Sequence, residues 1–388
     1  MEIPTNRATA HIASNALASD ATRLGNLFGQ GDGLLPLWIA EPYVALAPQI
    51  TASLEARADV GWYGYEARPE GLADTFWAWM AARHDWEGSH LHTSVSPSVG
   101  TSIGVLIEQH TESGNGVILQ PPVFTDFKPL VVAAGRSVVR NALELTDGDY
   151  VIDFDDLETK AADPTTRLMI LCNPHNPVGR LWSESDLARV ARICAANDVF
   201  VIADEIHADL ALAAHSFTPF ATAAADTGVS WAATHGPIKT FGLAGVCDTL
   251  LVTDNEDVAK AFRKMSSRLH LTRNNVFAMT AFETAYRTGG KWLDGLLELV
   301  AGNVALLADG LPDGIGIVQP EATYLAWLDF RKVELGVPEL ARWLAGAGLA
   351  LSPGHWFGRE GAGFARMTIA TPRPQIEEAI ARLTKALA

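Results

Sequence analysis

Short apolar runs alternate with amphipathic stretches through the middle of this chain. Val117-Ile-Leu-Gln120, Leu168 to Cys172, Val199 to Ala203 and Thr249-Leu-Leu-Val252 are too short for helices and rich in Val, Ile and Leu. Strands buried on both faces read this way. Between the second and third runs, Ser183-Glu-Ser-Asp186 places a serine at a helix N-cap with an acid three residues on. Leu187, Val190, Ala191 and Cys194 then recur at i, i+3, i+4 and i+7, which gives that helix one apolar stripe. Strand–helix–strand alternation predicts a mostly parallel sheet covered by helices on both faces.

The ends of the chain read differently. Residues 1–34 are polar and glycine-spotted, with a weak helical pattern. Asn274 to Ala308 is helical in period, interrupted at Gly289-Gly290. After Pro320, Thr323 to Phe330 alternates like a strand, and Pro374 to Ala388 is an amphipathic helix. The expectation is an α/β protein. A three-layer large domain would span residues 46–284 and a smaller α+β domain 285–388. An N-terminal segment, 1–45, would pack with the small domain. No internal repeat or low-complexity segment is present.

Composition narrows the function classes. Of 388 residues, 48% are hydrophobic and 19% charged, enough for a large core and unlike a disordered chain. The formal charge of −16 argues against a nucleic-acid partner, which needs clustered Lys and Arg. The three cysteines, Cys172, Cys194 and Cys247, have no metal-binding spacing, and no histidine pair has one. Few cysteines suit a reducing compartment. The start, Met1-Glu-Ile-Pro-Thr-Asn-Arg7, does not read as a signal peptide. No apolar run reaches membrane-spanning length. These features lead to the expectation of a soluble, cytoplasmic protein with no metal and no membrane partner.

Three polar residues stand where open α/β sheets place ligand chemistry, at or beyond the ends of buried strands. Asn176 lies in Asn173-Pro-His-Asn-Pro-Val-Gly179, Asp204 in Val201-Ile-Ala-Asp-Glu-Ile-His207, and Lys239 opens Lys239-Thr-Phe-Gly-Leu-Ala-Gly245. A lysine flanked by Ile238 and Phe241 can be desolvated and its pKa lowered, as imine-forming lysines require. A buried Asp204 could keep a pyridine nitrogen protonated. Asn176 could bond a phenolate oxygen. Together they suggest a bound aromatic aldehyde. Each also has a plain structural reading: a surface lysine, a strand-end cap, a turn between prolines.

Other candidates follow. Small residues at Pro97-Ser-Val-Gly-Thr-Ser102 open a helical pattern, so backbone N–H groups at Ser98, Val99 and Gly100 could hold a phosphate. Phe124 could be core or a stacking platform. Arg366 is a charge inside the strand-like run Gly363 to Thr371, needing either a protein acid or a substrate carboxylate. His207 could contact a ligand or be a satisfied core histidine.

Taken together, these segments resemble the aspartate aminotransferase superfamily of fold-type I pyridoxal-phosphate enzymes. The carriers are Asn-Pro-x-Asn-Pro-x-Gly, then Asp-Glu-Ile-His, then Lys-Thr-Phe-Gly-Leu-Ala-Gly, in that order. Within it the chain is most similar to the cystathionine β-lyase, or C–S lyase, branch. Leu35-Pro-Leu-Trp-Ile-Ala-Glu41, Gly64-Tyr65, Thr288-Gly-Gly-Lys-Trp-Leu-Asp294 and Thr323 to Asp329 carry that likeness. The resemblance implies pyridoxal 5′-phosphate bonded to Lys239, which would also move the substrate Cα proton. Asp204 would pair with the ring nitrogen. Asn176 and His207 would meet the 3′-oxygen, and Phe124 would stack on the ring. Ser98, Val99 and Gly100 would hold the phosphate, with Tyr65 reaching the neighbouring subunit's phosphate in a homodimer. Arg366 would bind the substrate carboxylate beside Ala40.

The chain departs from the family pattern at several points. Gly236-Pro-Ile238 replaces Ser-x-Ser before the lysine, Cys247 stands where many aminotransferases carry an arginine, and Glu41-Pro-Tyr-Val44 replaces an Asp-Met-Asp-Phe-like run. The implied activity is α,β-elimination from S-substituted cysteines to pyruvate, ammonia and a thiol. An aminotransferase acting on an α-amino acid would use the same residues. A regulatory protein that keeps the fold but has little catalysis is a third reading, motivated by the missing hydroxyls.

Overall fold

The computed structural model describes residues 16–388. The first fifteen residues of the expected N-terminal segment lie outside the described residues. The strands in chain order are β1 (Leu35–Pro36), β2 (His92–Ser96), β3 (Gly116–Leu119), β4 (Ser137–Arg140), β5 (Leu143–Thr146) and β6 (Asp149–Ile152). They continue with β7 (Thr166–Cys172), β8 (Phe200–Asp204), β9 (Trp231–His235), β10 (Thr249–Thr253), β11 (Gly316–Val318) and β12 (Leu325–Asp329). The last three are β13 (Leu349–Ala350), β14 (Ser352–Pro353) and β15 (Phe364–Thr368).

Seven strands form the central sheet in the order β2-β10-β9-β8-β7-β3-β4. From β9 to β4 all neighbours are parallel, whereas β10 runs antiparallel to both β9 and β2. The sheet is buried on both faces. Leu168, Ile170, Phe200 and Ile202 pack into one apolar cluster with Ile103, Phe127 and Phe262. Their alternates Met169, Leu171, Val201 and Ala203 pack into the other, with Leu187, Val190 and Phe282. Period-two alternation thus feeds two separate cores. The predicted capping box at Ser183 is present, and Leu187, Val190, Ala191 and Cys194 are all buried.

All four predicted central strands form. The sequence did not reveal β2, β4, β9 or the β5–β6 hairpin. β9 reads Trp-Ala-Ala-Thr-His, and alanine has little strand preference of its own. Its burial between β8 and β10 decides the matter.

Helices Val276–Thr288 and Gly290–Gly310 meet at Gly289, where the glycine pair predicted a break. An added Cβ at Gly289 would lie 2.2 Å from the Phe241 ring, so the position admits no side chain. Beyond it, β11-β12-β15-β14 make a four-stranded antiparallel sheet. β1 pairs with β13 in parallel, and Tyr43 N–H donates to Ala370 O at 2.7 Å. The segment from Leu35 to Val44 is thereby led from the small sheet toward the ends of β8 and β9. Among the described residues, no helix is long and apolar enough to cross a membrane.

Candidate active site

Asp204 closes β8, with Cys172 of β7 and Thr234 of β9 as its register neighbours. Its side chain is 4% exposed. One carboxylate oxygen accepts the Thr234 hydroxyl at 2.9 Å and the Ile206 N–H at 3.3 Å. Burial pushes the carboxyl up to about 6, against the pull of these two bonds and of Lys239.

Lys239 follows β9 on the short turn Pro237–Thr240. Its Nζ donates to the Ala40 carbonyl at 2.8 Å, and the Tyr324 hydroxyl donates to the same oxygen at 3.3 Å. Burial lowers the amine to about 8, with the nearby Arg366 charge adding to the effect. Glu41, Asp204 and Asp126 oppose that shift. Desolvation likewise raises Glu41, and Lys239 opposes it.

Asp204 and Lys239 border one cavity of about 330 Å³. Ser98, Val99, Gly100, Phe124, Asn176 and His207 also line it. Ser98 caps the helix Val99–His110, its hydroxyl accepting the Thr101 N–H at 3.1 Å. The first N–H groups of a helix lack intrahelical acceptors, and here the first two residues of the helix, Val99 and Gly100, line the cavity. Phe124 stands edge-on to Phe127, ring centroids 5.4 Å apart. The buried Nδ1 of His207 has no hydrogen-bond partner among the described residues. Burial first, then the Lys239 and Arg366 charges, keep this imidazole neutral by lowering its pKa.

Arg366 on β15 is 6% exposed. It donates to Asn176 Oδ1 at 3.0 Å, to the Trp38 carbonyl at 2.8 Å and to the Ser352 hydroxyl at 3.4 Å. Its guanidinium lies over Phe357, and Nε has no hydrogen-bond partner among the described residues. All its hydrogen-bond partners are neutral. Of the two options left open for this arginine, no protein acid takes the role among the described residues. Burial lowers it to about 10, so it stays charged at neutral pH.

Eight of the eleven sequence-derived positions therefore line the cavity, and Ala40 and Arg366 stand beside it through their bonds to Lys239 and Asn176. Tyr65 is the exception. It is 85% exposed, and its ring lies under the Arg273 guanidinium at 5.3 Å, away from the cavity of its own chain. Sequence reasoning missed Thr234, Asp126 and Cys172. Thr234 follows only Trp231-Ala-Ala233, a run too small to announce a strand, so the rule that found Asp204 passes over it. A larger, more open groove of about 700 Å³ lies at the opposite ends of the strands, between Thr165, Asp198 and Ser230. None of the predicted site residues borders it.

Residues 89–383 match the model of the aminotransferase class I and II family. The chain belongs to that family. Among members of known description, cystathionine beta-lyase PatB of Bacillus subtilis is 39% identical, over 94% of this chain and 95% of its own. The structure of cystalysin from Treponema denticola, which contains a pyridoxal 5′-phosphate cofactor, superposes with a TM-score of 0.89. It is 28% identical and covers 97% of both chains. The pyridoxal-phosphate-bound C–S lyase from Staphylococcus hominis also gives 0.89, at 26% identity over 100% of this chain and 99% of that one. The α/β architecture with its mostly parallel sheet is thus the family's.

Proposed function

We propose that this protein is a pyridoxal-phosphate-dependent C–S β-lyase that converts S-substituted cysteines to pyruvate, ammonia and a thiol. The observation that carries this reading is a buried, depressed lysine sharing one cavity with a buried carboxylate. At its edge stands a charged arginine that pairs with no acid among the described residues.

The residues present fit the cofactor. Asp204 offers a carboxylate to a ring nitrogen, and an added positive charge there would relieve its desolvation. His207 Nδ1 and Asn176 offer polar atoms to a phenolate oxygen. Phe124 offers a face for the ring. The start of the helix Val99–His110 suits a phosphate. Ile238 supplies no hydroxyl to that phosphate, so the helix start carries more of the load. When bound, the cofactor supplies the electron sink that makes the substrate Cα–H acidic.

The chain's residues do the rest. Arg366 holds the substrate carboxylate with its fork, which fixes the Cα–H direction. Lys239, with a pKa near the working pH, moves the Cα proton. The apolar wall of Ile103, Phe127, Leu130 and Ile206 limits water at the reacting carbon. Loss of the thiolate from Cβ and hydrolysis of the enamine then give pyruvate and ammonia.

The protein is further proposed to act as a cytoplasmic homodimer. Tyr65 of each chain would reach the other's phosphate site; its exposure beside Trp62 and Tyr63 supports this. The division into units at residues 46–284 and 285–388 belongs to the same proposal, with Arg366 and Lys239 coming from different units. The test is purified protein with added cofactor and L-cystathionine. Pyruvate and thiol should appear together. Pyridoxamine-form cofactor and 2-oxo acid exchange without thiol would replace the lyase reading with an aminotransferase.

A further inference from the structure

The turn that carries Lys239 lacks flanking hydroxyls on its N-terminal side, since Gly236-Pro-Ile238 precedes it. Its fixation comes from elsewhere. The stretch Asp204 to Asp209 contains three buried carboxylates. Only Asp204 borders the cavity. The other two grip the lysine turn at its two ends.

Glu205 meets the entry. One of its oxygens lies 3.0 Å from Nε2 of His235, the last residue of β9. The other accepts the Phe220 N–H at 2.6 Å. The Glu205 N–H donates to Thr234 O at 3.1 Å. Asp209 meets the exit. Its Oδ2 accepts the hydroxyl of Thr240, the residue after Lys239, at 2.8 Å. Its Oδ1 accepts Trp79 Nε1 at 2.7 Å and His84 Nε2 at 2.8 Å. Burial alone would raise this carboxyl, but the three donors hold it below its ordinary value. Trp79 also packs against Phe241, ring centroids 5.6 Å apart, one residue beyond Thr240. Phe241 in turn closes on Gly289. The turn is therefore tied to the helix Leu72–His84 and to the helix junction at Gly289.

A lysine amine sits at the end of four flexible carbons. Where it can reach depends on where its backbone is held, and a misplacement of about 1 Å at a reacting group can cost on the order of a hundredfold in rate. A buried carboxylate with three donors is a rigid holding point. We propose that Asp209, acting through Thr240, is a positioning residue that fixes the Lys239 amine relative to the substrate Cα, with Glu205 bracing the other end of the turn through its N–H bond to Thr234 O. This rests on the role given to Lys239 above.

Thr240→Val isolates the contact. It removes the one bond to the turn while Asp209 keeps Trp79 and His84, so the test does not depend on Asp209→Asn folding. On the cofactor-loaded protein, kcat for pyruvate release from L-cystathionine should fall roughly tenfold or more with KM within about twofold, and Thr240→Ser should restore it. On cofactor-free protein, the labelling rate of Lys239 by trinitrobenzenesulfonate at pH 8, read by mass spectrometry, should change about threefold in Thr240→Val. Wild-type kcat and labelling in Thr240→Val would overturn the proposal. So would an equal loss in Thr240→Ser, which would indicate packing alone. If the wild type releases no pyruvate, the lyase reading fails. The labelling comparison then still decides the clamp: a changed rate supports it and an unchanged rate refutes it.

Discussion

Asp204 carries a measurable electrostatic cost, and Asp204→Asn should expose it. In the folded chain its carboxyl moves from an ordinary 3.8 to about 6, chiefly because burial disfavours the charge. Each tenfold in proton affinity is worth about 1.4 kcal/mol, so the ionised carboxylate opposes folding by about 3 kcal/mol. The sign follows from proton counts. Below about pH 4 both states are protonated and the cost is absent. Between about 4 and 6 the folded state binds more protons than the unfolded one, so stability falls as pH rises. Above about 6 the cost is complete. Asparagine keeps an oxygen that can accept from Thr234 and Ile206 but never ionises. Urea unfolding of cofactor-free wild type and Asp204→Asn, from pH 4 to pH 7.5, should show the variant gaining about 3 kcal/mol on wild type across that range. Added pyridoxal phosphate should shrink that advantage, because a protonated ring nitrogen pairs with the carboxylate and only the wild type can use it. A pH-independent difference between the two proteins would refute the argument that burial of this one carboxylate dominates.

Two further outcomes follow from the same cavity. Lys239 reacts with an aldehyde only as the neutral amine, and its pKa of about 8 lies below the ordinary lysine value. Capture of pyridoxal phosphate by cofactor-free protein, followed by absorbance, should therefore accelerate through pH 8 and level off above it; continued acceleration to pH 10 would show an unperturbed lysine. Arg366→Lys should lower kcat/KM for L-cystathionine on the order of a hundredfold, because a point charge cannot replace the planar fork that bonds Asn176 and Trp38 while facing a carboxylate. Steady-state kinetics would check this, and a loss under about threefold would place the carboxylate elsewhere.

What the sequence revealed of this site divides along physical lines. Asn176 and Asp204 were legible because each follows a run of large apolar residues, and parallel sheets put such positions at one end; Lys239 was legible through its apolar flanks, Ile238 and Phe241. Thr234 obeys the same geometry but follows Trp-Ala-Ala, a run too small to announce a strand. Ala40 acts through its backbone carbonyl, which no side chain advertises. It reaches Lys239 only because β1 pairs with β13 more than three hundred residues along. The antiparallel direction of β10 was hidden for a similar reason, since the length and polarity of a run do not encode its direction.

Strand parity explains why neighbouring carboxylates in one motif take opposite parts. Phe200, Ile202 and Asp204 share one face of β8, and Val201 and Ala203 share the other with Glu205 next in step. On β9 the same rule sets Ala232 and Thr234 on the cavity side and Ala233 and His235 opposite. Thr234 therefore meets Asp204 at 2.9 Å, and His235 meets Glu205 at 3.0 Å on the far side. One residue's difference in position separates a group facing the cavity from a group that can only brace the scaffold beneath it. A one-residue slip of β8 would present Glu205 to the cavity and turn Asp204, together with Phe200 and Ile202, to the opposite face. Acidic identity at Asp204 and Glu205 alone cannot assign their roles. Their parity relative to the apolar residues before them can, and the same count marks Thr234, rather than His235, as the neighbour that tunes the cavity's carboxylate.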